Sequence, residues 1–256
     1  MIVGMVHDPD DAVQRWLTAL EARHLADLRV PEVTRALRAL SSAYVERRHK
    51  VAHGATLDSR GKRAAFALFY APLHFLVARH VVVALRAPAP ASILDVGCGT
   101  GAVGAAWSLS AGGVPVTGID RHPWAADEAR WTYKQLGVPG QARQGDVARL
   151  PTPRPGGAIV AGYVLNELPE DLRRSTLDAV TAAASRGVGL LVLEPIARSL
   201  TPWWDGAVAR IETLGGRADE WRWAEALPPL LQLFDKAAGL NHRELTARSL
   251  YVPPST

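Results

Sequence analysis

The sequence predicts an α/β fold, in which a doubly wound, mostly parallel sheet follows an N-terminal helical domain. Three observations predict it. Apolar residues recur at helical spacing in the first 90 residues, for example at Val13, Trp16, Leu17 and Leu20. Short apolar runs then alternate with helical stretches, as βαβ units require, and the first run leads directly into a glycine-rich turn at 97–101. We therefore place a helical domain at residues 1–90 and a sheet domain at residues 91–256.

The helical domain should contain about four helices. Pro31 followed by Glu32 is typical of a helix start, and Pro72 should kink or divide the long apolar helix of residues 64–85. Alternating Ala and Pro at residues 87–91 should end the helical region and form a short stiff connector.

Five strands are predicted in the sheet domain, at residues 92–96, 114–119, 142–145, 158–162 and 189–193. The last of these reads Gly-Leu-Leu-Val-Leu, and such continuous apolar runs indicate that both faces of the sheet are covered. A final helix is expected at residues 228–239 and a closing strand at residues 243–252. The region between Pro195 and Leu227 is ambiguous.

The composition excludes several classes of protein. A chain of 256 residues with 48% hydrophobic and 21% charged residues is neither disordered nor collagen-like. The single cysteine, Cys98, cannot form an internal disulfide, and no Cys/His cluster has the spacing of a zinc site. No apolar run reaches the roughly 18 residues of a membrane span. We therefore expect a soluble, cytoplasmic protein with no metal and no membrane partner.

The excess positive charge lies in the N-terminal part. Residues 1–90 contain 13 Lys and Arg against 8 Asp and Glu. Many of these cations fall in a basic stretch at residues 35–63, which comprises Arg35, Arg38, Arg47, Arg48, Lys50, Arg60, Lys62 and Arg63. Such a stretch can face the phosphates of RNA, although charge runs more often only keep a helix face hydrated.

The strongest functional signal is the segment Ile93-Leu94-Asp95-Val96-Gly97-Cys98-Gly99-Thr100-Gly101. Glycines admit positive φ angles and have no Cβ, so a ligand can lie against the backbone, and the following helix offers free N–H groups. Asp120 ends the second strand about 20 residues later, where a carboxylate can accept both hydroxyls of a ribose.

Two cofactors compete for this site. Residues 99–104 read G-T-G-A-V-G and match the dinucleotide pattern G-x-G-x-x-G of oxidoreductases. With a dinucleotide, however, the Asp95 carboxylate would lie close to an anionic pyrophosphate. With S-adenosylmethionine it would face an ammonium group and a sulfonium cation, and the same charge becomes favourable. The sequence therefore favours S-adenosylmethionine.

These residues resemble the motif of the class I S-adenosylmethionine-dependent methyltransferases, an acidic residue followed by G-x-G-x-G. The resemblance runs from about Ser92 to the C-terminus and implies a Rossmann-like sheet. It also implies that Asp120 holds the ribose, that Asp146 holds the adenine amine and that residues 162–168 line the methyl-transfer face. The expected cofactor-binding residues are Asp95, Gly97, Cys98, Gly99, Gly101, Asp120, Arg121, Asp146, Val147 and Tyr163.

A narrower resemblance covers roughly residues 36–195. The residues that carry it are Leu40-Ser41, Tyr44, Arg47, Arg63-Ala64, Pro72, the glycine turn, residues 164–168 and Leu193-Glu194-Pro195. They look like those of the methyltransferase-like proteins of small-ribosomal-subunit assembly. That family commonly has a C-terminal cysteine cluster, which this chain lacks. The resemblance implies an alternative function, a ribosome-associated RNA methyltransferase or RNA-binding assembly factor.

Methyl transfer is an in-line displacement, so catalysis depends mainly on positioning and on the exclusion of water. We predict that Tyr163 and Asn166 position the acceptor, while Tyr163 could instead pack on adenine. Glu167 is a candidate base or a charge in the first turn of a helix. The sequence Asn166-Glu167-Leu168 also departs from the N-P-P-aromatic motif of base-amine methyltransferases.

Histidine and cysteine offer few catalytic candidates. Of the possible bases His49, His53, His74, His80 and His122, we expect only His74, which lies among aromatic residues, to contact the acceptor. Cys98 is expected to serve only as a small side chain in the turn. Because the chain has no second cysteine, the cysteine-dependent route to pyrimidine C5 methylation is closed.

The predicted reaction is transfer of a methyl group from S-adenosylmethionine to an oxygen or nitrogen of a small organic acceptor. The absence of the cysteine cluster favours a small acceptor over RNA. So does the tail, in which four tryptophans are expected to form an aromatic cap: Trp203, Trp204, Trp221 and Trp223.

Overall fold

A computed structural model describes residues 9–46 and 57–255 of the chain. The helices are α1 (Pro9–His24), α2 (Val30–Glu46), α3 (Arg60–Ala65), α4 (Ala71–Ala84), α5 (Ala102–Ser110), α6 (Pro123–Leu136), α7 (Glu170–Ala184), α8 (Trp204–Thr213) and α9 (Pro229–Ala238). The strands are β1 (Ile93–Val96), β2 (Val116–Asp120), β3 (Gly140–Gln144), β4 (Ala158–Gly162), β5 (Gly189–Glu194), β6 (Arg217–Trp223) and β7 (Leu245–Val252). A π-helical turn, Phe66–Tyr70, joins α3 to α4, and short 3₁₀ turns lie at Val147–Arg149, Leu165–Glu167 and Arg198–Leu200.

The seven strands form one sheet in the order β3-β2-β1-β4-β5-β7-β6. Strands β1 to β5 are parallel, and β7 is antiparallel to both β5 and β6. This is the doubly wound, mostly parallel α/β fold that the sequence predicts. The strand order reverses between β1 and β4, and in such sheets a crevice opens at the carboxyl ends of the strands on either side of the reversal.

The predicted strands are all present, and all except one are shifted at one end or both. β4 has the predicted bounds, whereas β3 starts two residues before the predicted segment. The ambiguous region after Pro195 contains α8 and β6. Strand β6 (R-A-D-E-W-R-W) is an edge strand with four charged residues, so no apolar run marks it in the sequence.

The N-terminal helices pack directly on the sheet domain. Trp16 of α1 and Phe75 of α4 are both buried, with ring centroids 5.4 Å apart. They belong to the same apolar cluster as Trp107 of α5 and Leu191 of β5. The opposite face of the sheet is covered by α7 and α8, through Leu177 and other residues of a second cluster. The helices and one face of the sheet therefore share a core.

The long apolar helix is continuous from Arg60 to Ala84, and the expected irregularity near Pro72 takes the form of the π-helical turn just before it. Within that turn the Ala71 N–H donates to the Phe66 carbonyl, five residues earlier. Because proline has no N–H, an α-helical pattern could not run unbroken through Pro72 in any case.

This helix is also long and apolar enough to cross a membrane, by length and composition alone. However, 67% of its most apolar window is buried inside the protein. Packing against α1, α2 and α5 accounts for its apolar character.

The shared core predicts a large effect of one N-terminal residue on overall stability. Trp16→Ala should lower the free energy of unfolding by about 3–5 kcal/mol, because it leaves a cavity beside Phe75. Urea denaturation followed by circular dichroism measures this effect. The control is Val83→Ala in α4, where the side chain is 62% exposed and we expect a change within about 0.5 kcal/mol. A loss below about 1 kcal/mol for Trp16→Ala would mean that α1 is peripheral to the core.

Candidate active site

A cavity of about 620 Å³ opens at the carboxyl ends of the parallel strands. Its floor is formed by the residues that follow β1, β2 and β4, and one side by residues after β5 and at the start of β7. The helical segment from Phe66 to Val77 forms the roof. The cavity thus lies where the reversal in strand order places a crevice.

The glycine turn after β1 brings the backbone to the cavity wall. Gly97 and Gly99 line the cavity with φ angles of +62° and +51°. A Cβ on Gly97 would lie only 2.3 Å from Val164 Cγ2, so any other residue there would displace Val164. Gly101 does not line the cavity; it caps α5 at φ +79°, against the ring of Tyr133. It is the one predicted cofactor residue that lies off the cavity wall.

Asp95 places a buried carboxylate at the base of this turn. Asp95 is among the residues that line the cavity, and its Oδ2 accepts a 3.0 Å hydrogen bond from the Gly104 amide in the first turn of α5. Burial raises the pKa of Asp95 to about 7, and the nearby charge of Asp120 adds to this. A cation bound beside Asp95 would stabilise its ionised form.

Asp120, at the end of β2, is held by two backbone amides. Its Oδ2 accepts from the Gly99 N–H at 2.9 Å and its Oδ1 from the His122 N–H at 2.8 Å. Each carboxylate oxygen keeps a second lone pair, so Asp120 can still accept from a ligand hydroxyl in the cavity. Arg121 follows it on the cavity wall.

Asp146 and Val147 line the cavity after β3. The Asp146 Oδ1 accepts from the Ala148 N–H at 2.9 Å and so caps the 3₁₀ turn. The residues expected to bind the ribose and the adenine therefore lie on the side of the glycine turn where β2 and β3 follow β1 in the sheet.

Tyr163, directly after β4, has an unusual backbone and a stacked ring. Its φ is +60°, a conformation that is strained for a tyrosine and is often found at functional sites. Its ring stacks on His74 of α4, with centroids 4.0 Å apart and planes 16° from parallel. Burial lowers the pKa of His74 to about 3 and raises that of Tyr163. Both groups are therefore neutral near pH 7.

Asn166 and Glu167 line the cavity from the 3₁₀ turn after β4. The Asn166 N–H donates to Glu194 Oε1 at 3.2 Å, so the last residue of β5 holds this turn in place. Glu194 is fully buried and burial raises its pKa to about 8. Its Oε2 has no hydrogen-bond partner among the described residues. Sequence reasoning gave Glu194 no site role, although an acid ending the wholly apolar strand β5 is a usable signal.

A second feature missed by sequence reasoning is His242, which lies on the cavity wall between α9 and β7. Its Nδ1 is paired with Asp235 Oδ1, and its backbone N–H donates to Asp235 Oδ2 at 2.9 Å. No periodic pattern in the sequence marks this pair.

The other candidate bases are placed differently. His122 lines the cavity beside Asp120, whereas His80 stacks on Trp223 outside it, with centroids 3.8 Å apart. His49 and His53 lie outside the described residues. Cys98 lines the cavity, and burial raises the pKa of its thiol well above the usual value, so it is a poor nucleophile.

The expected aromatic cap is wrong, because none of the four tryptophans of the tail lines the cavity. Trp203 and Trp204 pack in the cluster on the opposite face of the sheet. Trp221 and Trp223 belong to β6, which β7 separates from the parallel strands. The aromatic roof is supplied by Phe66, Tyr70 and His74 from the N-terminal part.

The basic stretch is only partly described, since Arg47, Arg48 and Lys50 lie outside the described residues. Four of the remaining cations are engaged within the protein. Arg38 donates to the Ala237 carbonyl, Arg60 pairs with Asp27, Lys62 pairs with Asp58, and Arg63 donates to the Leu57 carbonyl. Arg35 is exposed.

Residues 93–187 match the family model described as a methyltransferase domain. A solved structure of the mitomycin 7-O-methyltransferase MmcR is 17% identical, with a TM-score of 0.52, and the alignment covers 98% of this chain and 74% of that chain. The methyltransferase domain of bacterial CtHen1-C is 12% identical, with a TM-score of 0.49 and coverages of 72% and 98%. A SAM-dependent methyltransferase from Aquifex aeolicus is 17% identical, with a TM-score of 0.47 and coverages of 70% and 90%. Comparison with curated proteins gives no match.

At these identities the MmcR structure shows the fold alone. The family match covers β1 to the end of α7, the segment that contains the glycine turn, Asp120 and Asp146. The chain is an enzyme, an S-adenosylmethionine-dependent methyltransferase, and the choice of this cofactor over a dinucleotide is confirmed. The narrower likeness to proteins of small-ribosomal-subunit assembly is not supported.

The close approach of Gly97 to Val164 predicts a selective loss of cofactor binding. Gly97→Ala should weaken S-adenosylhomocysteine binding at least tenfold, about 1.4 kcal/mol, as measured by calorimetry, because the new methyl group displaces Val164 from the cavity wall. Gly112→Ala is the matched control. It has a φ of +82° but nothing within 4 Å of the new Cβ, so it carries the backbone strain without the clash. Equal affinities of both variants would contradict the assignment of this turn.

The raised pKa of Asp95 predicts a pH-dependent affinity. In the free protein about half of the Asp95 side chains are protonated near pH 7, and a bound cation favours the ionised form. The affinity for S-adenosylmethionine should therefore rise as the pH increases from 5.5 to 7. Asp95→Asn should remove this rise and cost about 1–3 kcal/mol of binding at pH 7.

Calorimetric titrations at several pH values measure this dependence. Asp127→Asn, at an exposed carboxylate on α6, serves as the control and should keep the pH dependence. A wild-type slope that persists in Asp95→Asn would assign the titration to another group.

Proposed function

We propose that the enzyme transfers the methyl group to an oxygen or nitrogen of a small organic acceptor. One observation supports this most strongly. Beyond Tyr163 most of the cavity wall is formed by apolar, phenolic and imidazole side chains, such as Leu73, Tyr70 and His242, and the other polar groups there include Asn166, Glu167 and Thr246. Such a lining fits a compact, largely apolar acceptor with a few polar groups.

The residues on the other side of Tyr163 fit S-adenosylmethionine. The Cβ-free surface of Gly97 admits close approach of a ligand, no described Lys or Arg is paired with the Asp95 carboxylate, and the Asp120 oxygens can each accept a further hydrogen bond. When bound, the cofactor supplies an electrophilic methyl group on a sulfonium, whose sulfur leaves as a neutral thioether.

The chain's own residues then act mainly by positioning and by excluding water. Asn166 and Tyr163 lie on the wall between the two parts of the cavity, and we assign them to orienting the acceptor. His74 is a poor base, since a pKa of about 3 makes its imidazole a weak proton acceptor. The roof formed by residues 66–77 covers the cavity, and we assign the role of a lid to this segment.

Electrostatics argue against RNA as the acceptor. Among the described residues that line the cavity, Arg121 is the one Lys or Arg, and it lies on the cofactor side beside Asp120. A polyanion would need several cations along its path. We therefore propose a small-molecule partner in the cytoplasm, without a membrane or ribosome. The MmcR likeness, being one of fold, does not decide the acceptor atom.

This proposal predicts methyl transfer to small acceptors that is insensitive to salt. The enzyme should methylate members of a panel of phenols and aromatic amines, with rates that change less than about twofold between 50 and 300 mM NaCl. Transfer of tritiated methyl groups from S-adenosylmethionine measures both the range of acceptors that are methylated and the dependence of the rate on salt. Ribosomal RNA, tested in parallel, should remain unlabelled. Labelling of RNA that falls steeply with salt, without labelling of small acceptors, would overturn the proposal.

A further inference from the structure

The pair His242–Asp235 lies on the acceptor side of the cavity. Strand β7 runs antiparallel to β5, with Arg248 opposite Glu194, so residues 242–246 extend past the carboxyl end of β5. His242, Leu245 and Thr246 line the cavity there. The cofactor residues, in contrast, follow β1, β2 and β3, on the far side of β4.

The geometry of the pair fixes the tautomer of His242. Asp235 is only 7% exposed, and both of its carboxylate oxygens bind His242, one at Nδ1 and one at the backbone N–H. Because a carboxylate only accepts hydrogen bonds, Nδ1 bears the proton, and Nε2 is left with its lone pair. Nε2 has no hydrogen-bond partner in the described part of the chain, and the side chain is 31% exposed.

Two further imidazoles line the cavity, but neither is built to take up a proton at the acceptor. His74 is stacked on Tyr163 in a buried site, and no described carboxylate is paired with its ring to balance a positive charge. His122 lies beside Asp120 on the cofactor side, next to the positive charge of Arg121. Of these three histidines, His242 is the one that combines a paired carboxylate with a position just before β7, on the acceptor side of the cavity.

We propose that His242 is the general base of the reaction and that Asp235 is a positioning residue that holds its ring and tautomer. This inference rests on the proposed acceptor class and narrows it to groups with a weakly acidic proton, such as phenols. The O–H bond of the acceptor breaks and an N–H bond forms at Nε2. The oxygen keeps the electron pair, with which it takes the methyl group. The Asp235 carboxylate balances the imidazolium charge, and the proton later passes to water.

The pair also has a structural role that the test must separate. Asp235 lies in the last turn of α9, and its carboxylate binds the chain four residues beyond the helix. Replacing it can therefore disturb the loop. If His242 is the base, its replacement should slow the methylation only of acceptors that must still lose a proton. If the pair only holds the loop in place, its replacement should slow the methylation of all acceptors equally.

The first experiment compares two acceptors of different acidity, phenol and 4-nitrophenol, at pH 8.5. His242→Gln should lower kcat for phenol at least about 100-fold, but kcat for 4-nitrophenol, which is ionised at this pH, less than about fivefold. Asp235→Asn should show the same selectivity, and Asp235→Glu should recover part of the phenol activity. His80→Gln is the control, since His80 stacks on Trp223 outside the cavity, and it should match the wild type.

The second experiment needs no turnover. With S-adenosylhomocysteine bound and at pH 6, 4-nitrophenol added to the wild type should develop the absorbance of its anion, because the charge of a protonated His242 ring stabilises the phenolate beside it. In His242→Gln the bound probe should stay neutral. Calorimetry should show S-adenosylhomocysteine affinities within twofold of each other in both proteins.

The outcomes separate the two proposals. Equal losses for both phenols in His242→Gln, or an anion band that persists in this variant, overturn the role of His242 while leaving the small acceptor in place. If the wild type binds S-adenosylhomocysteine but neither binds nor methylates any phenol of the panel, the phenolic acceptor class fails, and this inference fails with it.

Discussion

The hydrogen bond between the buried Asp95 carboxylate and the Gly104 amide fixes the geometry on which the site depends. It joins the end of β1 to the first turn of α5 across the glycine turn. It requires a glycine at residue 104, because a Cβ there would lie 2.6 Å from Asp95 Oδ2. One amide does not offset the burial of a charge, and the pKa of Asp95 is accordingly raised to about 7. In the free protein the ionised form of Asp95 is thus destabilised, and a cationic ligand would stabilise it.

The two parts of the cavity have different origins. The cofactor side is built from the backbone of consecutive βα units, where the fold itself places the carboxyl ends of β1, β2 and β3 together. The acceptor side is assembled from remote segments, with its roof from residues 66–77 and its side wall from residues after β5 and before β7. The sheet scaffold therefore fixes the cofactor side, whereas the residues of the acceptor side can change without altering the sheet.

This difference decides what the sequence predicts. The fold class, the cofactor and the positions of Asp95, Asp120 and Asp146 follow from local patterns, because these residues lie at or just after the ends of recognisable strands. The His242–Asp235 pair depends on where the chain turns after α9, which no periodicity encodes. The aromatic cap was wrong because tryptophan-rich β6 lies at the far edge of the sheet, a position set by the insertion of β7 beside β5. The N-terminal helices were recognised as helices, but their shared core with the sheet was not.

The π-helical turn at Phe66–Tyr70 has a further consequence for the packing of the helix that contains it. A residue added to or removed from a helix rotates everything beyond it by about 100° relative to what precedes it. Deleting one residue from this turn would rotate α4 relative to α3, and Phe75 could not then keep its buried place against Trp16 while α3 stayed where it is. The additional residue of the turn therefore determines together which side chains of the helix line the cavity and which enter the core.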